Sequence, residues 1–330
     1  MIVSFRKRTQ KLETRKILYC FFRPDAVKYS LEREVIVLKL KRLNVGYFYA
    51  LAVGVICGIV PVIIQKVLTQ DSIPRATALF IKFVLSALVL LPIAAPRFKK
   101  VAYPKGFAWK LPVCALFYVA TLIFLYESYR YIPTGIGVAL QYTFPLFTMG
   151  FGVLFFGFRC NRQNIAAMIL SLAGAMLLSS GTLTSDKSYI GILLGIGCAI
   201  AYACYFLWTE HQNLAAMDST VYVTLKICAS AVLFFFYVLA TGQLTFSISL
   251  GTLLGLALSG VCTILASFCL TLAIRHIGSV YTSILGSVEL IVCAVAGYLV
   301  LGEVISLRSG IGIAVVIAAT VLVALSKKAK

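Results

Sequence analysis

The chain has 330 residues, of which 61% are hydrophobic and 12% are charged, with a mean hydropathy of +0.98. A soluble globular domain is roughly 45–50% apolar and about 25% charged, so this composition excludes a water-soluble fold and indicates a membrane protein. The formal net charge of +19 would by itself suit nucleic acid, but the placement of the basic residues argues against that partner.

A basic extension, residues 1–45, precedes the apolar part of the chain. It lacks an apolar core that ends at a small-residue cleavage site, so we expect no cleaved signal peptide and predict that the first span directs insertion. Residues 26–42 suit either a short amphipathic helix at the membrane surface or a poorly ordered extension.

Ten apolar segments follow, each close to the roughly 20 residues that a spanning helix needs. We therefore predict an all-α membrane protein with ten transmembrane helices. The predicted spans are residues 46–66, 74–95, 109–130, 135–158, 164–181, 189–209, 220–240, 250–273, 280–302 and 306–325.

The charge pattern predicts how these spans are oriented. Twelve Lys and Arg precede Asn44, and three more close the chain at Lys327, Lys328 and Lys330. If both termini are cytoplasmic, 23 basic residues lie on the inner side, five lie outside and two lie within spans. Positively charged loops stay in the cytoplasm, so we predict a multi-pass cell-membrane protein with cytoplasmic N- and C-termini.

The second five spans read as a copy of the first five. A constant offset of 145 aligns the fourth and ninth spans without a gap, pairing Arg130 with Arg275 and Gly157 with Gly302, and Gly54 matches Gly195 at offset 141. We predict two five-helix repeats, residues 46–181 and 189–326. Because five is odd, the repeats enter the membrane from opposite faces, and such inverted repeats place a substrate site near the midplane and work by alternating access.

Proline adds a further clue, since all nine prolines lie at or before Pro145. Pro61 and Pro145 fall deep inside the first and fourth spans, where proline removes a backbone hydrogen bond and kinks the helix. We expect either kinks that line the transport path or packing kinks. The second half has no matching prolines, so we expect the halves to move differently.

Several short motifs in the chain are recognisable. They are the stretches Tyr129–Ile132 and Ala273–Ile277, the ending Leu299–Glu303, and a lone lysine, Lys82, in the second span. With ten spans in a five-plus-five arrangement, the chain resembles the drug/metabolite transporter superfamily, and its EamA-like branch in particular. It departs from the family pattern at Glu289-Leu290, where the family has Glu-Pro, and at Gly157-Phe158, where it has Gly-Glu. The resemblance implies transport of amino acids, nucleotide sugars, quaternary amines or similar metabolites.

Ionisable residues within spans are functional candidates by default. Lys82 and Lys226 lie inside the second and seventh spans, and each could present an ammonium group to a carboxylate or phosphate of the substrate. The alternative is a structural cation that pairs with a buried acid or extends to the interface.

Glu127 and Glu289 are the corresponding acids, near the outer end of the third span and near the middle of the ninth. A carboxyl group without a partner in a dry site can carry a proton, so Glu289 is a candidate for proton coupling. A salt bridge from either acid to Lys82 or Lys226 is the alternative. We expect Glu303 to be structural.

Aromatic and amide side chains complete the candidate substrate site. Tyr202 and Tyr205 share a helix face and could wall a cavity or hold a cation, and the fourth span adds Gln141 and Tyr142. Trp208 lies on the same face, near the inner end, where we expect an interfacial anchor.

Signatures of enzymes and cofactors are missing from the sequence. No phosphate-binding G-x-x-x-x-G-K-[ST] loop is present, the ten cysteines form no C-x-x-C pair, and His211 and His276 fall in predicted loops. We therefore predict a non-enzyme without cofactor or metal.

The favoured function is secondary transport, as an exporter, of a small polar metabolite such as an amino acid. Exchange of nucleoside-type or nucleotide-sugar metabolites, transport of a choline-like cation, and a non-transport scaffold are the alternatives. Proton coupling and a homodimer stay open.

Overall fold

The computed structural model describes residues 45–64, 66–67, 73–132, 134–158, 161–178, 187–245, 248–301 and 307–325. The predictions for the N-terminal extension and for Glu303 lie outside these residues. The described helices from Gly46 onward belong to one compact unit, Gly46–Lys330.

Every regular element in the described ranges is a helix. The first six are α1 (Val45–Ile64), α2 (Arg75–Ala94), α3 (Phe107–Ser128), α4 (Thr134–Gln141), α5 (Phe144–Phe156) and α6 (Arg162–Leu178). The others are α7 (Ser188–His211), α8 (Ser219–Thr241), α9 (Leu250–Ile277), α10 (Ser279–Leu285), α11 (Val288–Leu301) and α12 (Leu307–Leu325). Short 3₁₀ turns follow α2 and α7.

The helices are long and apolar enough for a membrane. Eight stretches among the described residues qualify as spans, with α4–α5 and α10–α11 each counted as one. The two remaining predicted spans correspond to α6, which has 17 residues, and α12, whose apolar stretch Gly310–Leu322 is shorter. The all-α membrane fold is therefore confirmed, and the helix ends lie within a few residues of the predicted ones.

The fourth and ninth spans are each broken into two half-helices, and the breaks are equivalent. In the fourth span the break is Tyr142-Thr143, and in the ninth it is Gly286-Ser287. Adding the repeat offset of 145 to Tyr142 gives Ser287, so the two breaks coincide to within one residue. Bonds from residue i+3 to residue i, such as Thr143 N–H to the Leu140 carbonyl at 3.0 Å, satisfy the backbone at each break.

Close helix pairs connect the two repeats to each other. Helix α3 packs on α7, α2 packs on α8, and α6 packs on α12. Each pair joins one helix from the first half with one from the second, so the core lies between the repeats rather than within either of them.

Glycines permit the closest approach of these helices. A Cβ atom on Gly54 would lie 3.0 Å from the backbone nitrogen of Glu289, and one on Gly195 would lie 2.8 Å from Leu140. Gly54 and Gly195 are the pair that the repeat alignment matched, and each brings the first helix of its repeat against the broken span of the other.

Capping groups fix several helix ends. The Asp218 carboxylate accepts hydrogen bonds from the backbone of Thr220 and Val221, at 2.9 and 3.1 Å, and so begins α8. His211 and His276 were expected in loops, but they occupy the last turns of α7 and α9. The helices extend further than the apolar segments because polar residues still find backbone partners there.

Candidate substrate site between the repeats

Lys226, on α8, is a fully buried cation whose contacts are hydroxyls and aromatic rings. Its Nζ donates to the Tyr205 hydroxyl at 2.9 Å and to the Ser267 hydroxyl at 3.0 Å. It also lies 4.6 Å from the ring centre of Tyr118 and 5.2 Å from that of Tyr205. No carboxylate within the described part of the chain forms an ion pair with it.

Lys82, on α2, occupies the matching place in the first repeat. It is 2% exposed, and the hydroxyl of Ser86, four residues later, donates to its carbonyl at 2.8 Å. Ser230 does the same for Lys226 at 2.9 Å. The Nζ of Lys82 lies 4.8 Å from the Phe83 ring centre and makes neither a hydrogen bond nor an ion pair with any described residue. Unlike Lys226, it therefore keeps its donors free among the described residues.

Aromatic residues from α3, α5 and α7 form a wall beside Lys226. The rings of Tyr118 and Tyr205 lie 5.1 Å apart, and Tyr205 stacks on Tyr202 at 6.1 Å with an interplanar angle of 3°. Phe144, at the start of α5, packs 4.6 Å from Tyr202 and 6.2 Å from Tyr142. Of the predicted tyrosines, Tyr205 contacts Lys226 and Tyr202 stacks on Tyr205, and Phe144 connects Tyr142 to them.

Glu289, in the first turn of α11, is surrounded by protein yet keeps part of its surface accessible. It is within electrostatic range of Tyr142, Tyr202 and Cys57. The buried Tyr142 hydroxyl lies beside the Glu289 carboxyl group and interacts with it. Glu289, Tyr202 and Cys57 all lie deep in the protein yet are partly accessible, so these three side chains define the internal space between the repeats.

Gln141 and the two prolines lie at the helix breaks or along the first span. Gln141 is the last residue of α4 and is 8% exposed. Pro145 sits at the start of α5 rather than inside a continuous helix, so it marks the break of the fourth span. Pro61 lies within α1 and is half-buried.

Glu127 has different partners from the ones considered for it. Its carboxylate accepts a hydrogen bond from the Tyr237 hydroxyl at 2.8 Å and pairs with Arg130 at 3.1 Å. The salt bridges to Lys82 or Lys226 that were the alternative for Glu127 and Glu289 are not formed among the described residues. Glu127 instead connects the end of α3 to α8.

Trp208, considered as an interfacial anchor, joins two helices. Its indole nitrogen donates to the Lys110 carbonyl at 3.0 Å, and its ring meets Trp109 edge-on at 5.6 Å. Among the described residues, no group of His, Cys, Asp and Glu is placed to hold a metal ion.

Sequence reasoning missed Tyr118, Ser267 and Cys57 as neighbours of the two lysines. Tyr118 and Ser267 contact Lys226 directly, and Cys57 is within electrostatic range of Lys82, Lys226 and Glu289. The available signal was weak. Serine, cysteine and tyrosine are common in apolar spans, and only their helix face relative to Lys226 distinguishes them.

The comparison with protein families completes this picture. The model of the EamA-like transporter family matches residues 44–180 and again residues 189–325. The chain belongs to the EamA-like transporter family. The two matches are the two repeats seen in the sequence, and the family consists of membrane transporters, which fits a non-enzyme.

Curated relatives carry transporter names. The chain is 24% identical over 278 residues to a protein named riboflavin transporter from Vibrio cholerae, which covers 82% of this chain and 90% of the relative. It is 28% identical over 203 residues to the uncharacterized inner membrane transporter YedA of Escherichia coli, covering 61% of this chain and 65% of that protein.

A solved crystal structure shares the fold. It superposes with a TM-score of 0.71, covering 86% of this chain and 98% of the other, at 14% sequence identity. Together with the apolar helices, these relatives make this EamA-like protein a multi-pass membrane transporter.

Proposed function

We propose that this EamA-like protein is a secondary transporter that moves a small polar metabolite, such as an amino acid, out of the cell by alternating access. The observation that carries the proposal is the pair of buried lysines, Lys82 and Lys226, placed at equivalent positions of the two repeats without a carboxylate partner in the described part of the chain. A buried charge without a counter-ion is costly, and a substrate carboxylate would compensate it.

The surrounding residues support a site for an amino acid. A carboxylate of the substrate would meet Lys82, and Glu289 would lie within reach of an amino group or hold a proton. The breaks of the fourth and ninth spans lie beside this space, and interrupted helices at the middle of a repeat interface are a common way to build a transport site.

A metabolite with a planar ring is the second candidate. The stacked rings of Tyr202 and Tyr205, the nearby ring of Tyr118 and the named function of the riboflavin transporter relative favour it. A choline-like cation is disfavoured, since two buried lysines lie near the space and Glu289 is the one described acid that borders it.

Solute binding and transport by the purified protein test the proposal. We would screen amino acids, choline, nucleosides, nucleotide sugars and riboflavin by thermal shift, because a ligand that binds the native state raises its melting temperature. Each hit would then be followed across proteoliposome membranes. We expect an amino-acid hit that Lys82→Ala abolishes and that the exposed control Lys105→Ala retains. Transport of none of these solutes would contradict the proposal.

Proton coupling through Glu289 is tested in the same vesicles. We expect an imposed pH gradient to accelerate transport by the native protein and to leave Glu289→Gln unaffected. A native rate that is independent of the gradient would exclude coupling and leave the substrate gradient as the energy source.

A further inference from the structure

The charges within electrostatic range of the internal space do not balance. Cys57, on α1, is within electrostatic range of Lys82, Lys226 and Glu289. Two cations and one acid leave one net positive charge when Glu289 is ionised and two when it is protonated. The other described acids are engaged elsewhere: Glu127 with Arg130, Asp218 with Arg97, and Glu210 with the backbone of Ser279.

The two lysines differ in how many of their hydrogen-bond donors are unused. Lys226 donates to Tyr205 and Ser267, whereas Lys82 donates to none of the described residues. An ammonium has three N–H donors, and the cost of burying them without partners is several kcal/mol in general. A ligand oxygen that accepts from Lys82 would remove that cost at the place where it is largest.

We infer that this space is an anion site. The solute it holds carries net negative charge, as an acidic amino acid, a carboxylic acid or a phosphate ester does, and its acidic group binds Lys82. This inference rests on the proposed function in one respect only, namely that the occupant is the transported solute.

Cys57 offers a test that needs no knowledge of the solute. The other nine of the ten cysteines are replaced, with Cys114→Ser chosen because Cys114 lies 3.2 Å from the Tyr222 hydroxyl and 3.5 Å from that of Thr209. The remaining thiol is then labelled with anionic sulfonatoethyl methanethiosulfonate or cationic trimethylammonioethyl methanethiosulfonate. Each rate is divided by the rate of the same reagent with a small free thiol in solution.

We expect the anionic reagent to be preferred in the Cys57-only protein. Lys82→Gln should reduce that preference by about tenfold, since at an effective dielectric constant of about 20 one unit charge has an effect of about that size on another roughly 10 Å away. Lys82→Arg should retain it and Glu289→Gln should increase it. Lys105→Gln, which removes an exposed lysine at the surface, should leave it unchanged.

Three outcomes would overturn the inference. They are equal normalised rates for the two reagents, a preference for the cation, and no labelling of Cys57 by either reagent. Gel filtration of each variant confirms that it is folded. Failure of the proposed function is read separately in the vesicles: an anion preference at Cys57 without transport of any solute would preserve the anion site and reject transport.

Discussion

At Lys226 the described partners of the ammonium group are all neutral: two hydroxyls and two aromatic faces. Such an arrangement is a poor way to stabilise a fold. Taking a charge out of water costs several kcal/mol, and replacing a buried ion by an apolar residue of similar volume is often neutral or stabilising. The charge of Lys226 is therefore better explained by function than by stability.

The first prediction concerns Lys226→Met. We expect the melting temperature in detergent to stay the same or rise by a few degrees, while transport is lost, because methionine fills the volume without the charge. Unfolding is followed by scanning fluorimetry and transport in proteoliposomes. A clear loss of stability with normal transport would make Lys226 a structural residue.

A second prediction concerns Tyr205→Phe, which changes the hydrogen-bond partner of Lys226. It keeps the ring stacked between Tyr118 and Tyr202 but removes the oxygen that accepts from Lys226. An unsatisfied charged donor costs about 1–3 kcal/mol, so we expect Tyr205→Phe to lower the melting temperature. Double substitution with Lys226→Met should restore it, and a simple sum of the two effects would contradict this pairing.

Residue identity predicted part of this site and not the rest. Lys82, Lys226 and Glu289 could be found from the sequence because a charge inside an apolar span is rare and costly. Their partners could not. Whether Glu289 pairs with a lysine depends on how α11 faces α2 and α8, and whether Ser267 meets Lys226 depends on the packing of α9. Tertiary contacts decide these pairings, and they produce no periodic pattern in the sequence.

At the scale of helices, the close approach of α1 to α11 carries a prediction. A Cβ atom on Gly58 would lie 2.7 Å from the Glu289 carbonyl oxygen and 2.7 Å from the Val292 Cβ. Because backbone cannot move aside cheaply, we expect Gly58→Ala to destabilise the protein by about 1–3 kcal/mol and to reduce transport.

Gly150 gives the control for this substitution. It also lies inside a helix, α5, but a Cβ atom there would meet nothing within 4 Å. Alanine is a better helix former than glycine by up to about 1 kcal/mol, so Gly150→Ala should be neutral or stabilising in the same fluorimetric assay. Equal losses for both variants would show that close contact with α11 is not what Gly58 provides.

A hydrogen bond between α6 and the break of the ninth span leads to another prediction. The hydroxyls of Ser171 on α6 and Ser287 at the break lie 2.7 Å apart, both buried. We expect Ser171→Ala and Ser287→Ala each to cost about 1 kcal/mol of stability. The double variant should cost clearly less than the sum, because residues in one hydrogen bond are not additive. Strict additivity in a double-mutant cycle would show that this hydrogen bond does not contribute to stability.

The helices themselves were largely predictable, and the breaks were not. Runs of apolar residues placed every described span to within a few residues, since length and hydropathy decide insertion. Pro145 indicated the break in the fourth span. In the ninth span the same break occurs at Gly286-Ser287 without a proline, so the proline pattern does not indicate it. Only its equivalence to the first repeat could have revealed it.

For the molecule as a whole, the strongest helix pairs cross from one repeat to the other, as in α3 with α7 and α6 with α12. A half expressed alone would expose the apolar and polar faces that these pairs cover. We expect residues 46–181 and 189–326 to be degraded when produced separately and to copurify when produced together. Stable, monodisperse accumulation of either half on its own would show that each repeat folds independently.

The predicted orientation of the chain is tested at the same scale. The distribution of Lys and Arg predicts that both termini are cytoplasmic. A reporter that is active only in the cytoplasm should therefore be active at either end, and one that is active only outside should be silent. Opposite results at the two ends would require an odd number of spans and reject the five-plus-five arrangement.

The two broken spans, alike in position, differ in one atom that gives them unequal mechanics. Pro145 has no amide hydrogen, so the fourth span cannot form the backbone hydrogen bond to the Gln141 carbonyl that a continuous helix would have there. Its counterpart at offset 145 is Leu290, whose N–H now bonds the Ser287 carbonyl at 3.1 Å and is free to move to the Gly286 carbonyl instead. The break in the fourth span therefore always lacks this hydrogen bond, whereas the ninth span can form it and break it again. If the protein works by alternating access, unequal stiffness at the two breaks gives the loaded and the empty transitions different barriers, and the transport rates in the two directions then differ although the scaffold is nearly symmetric.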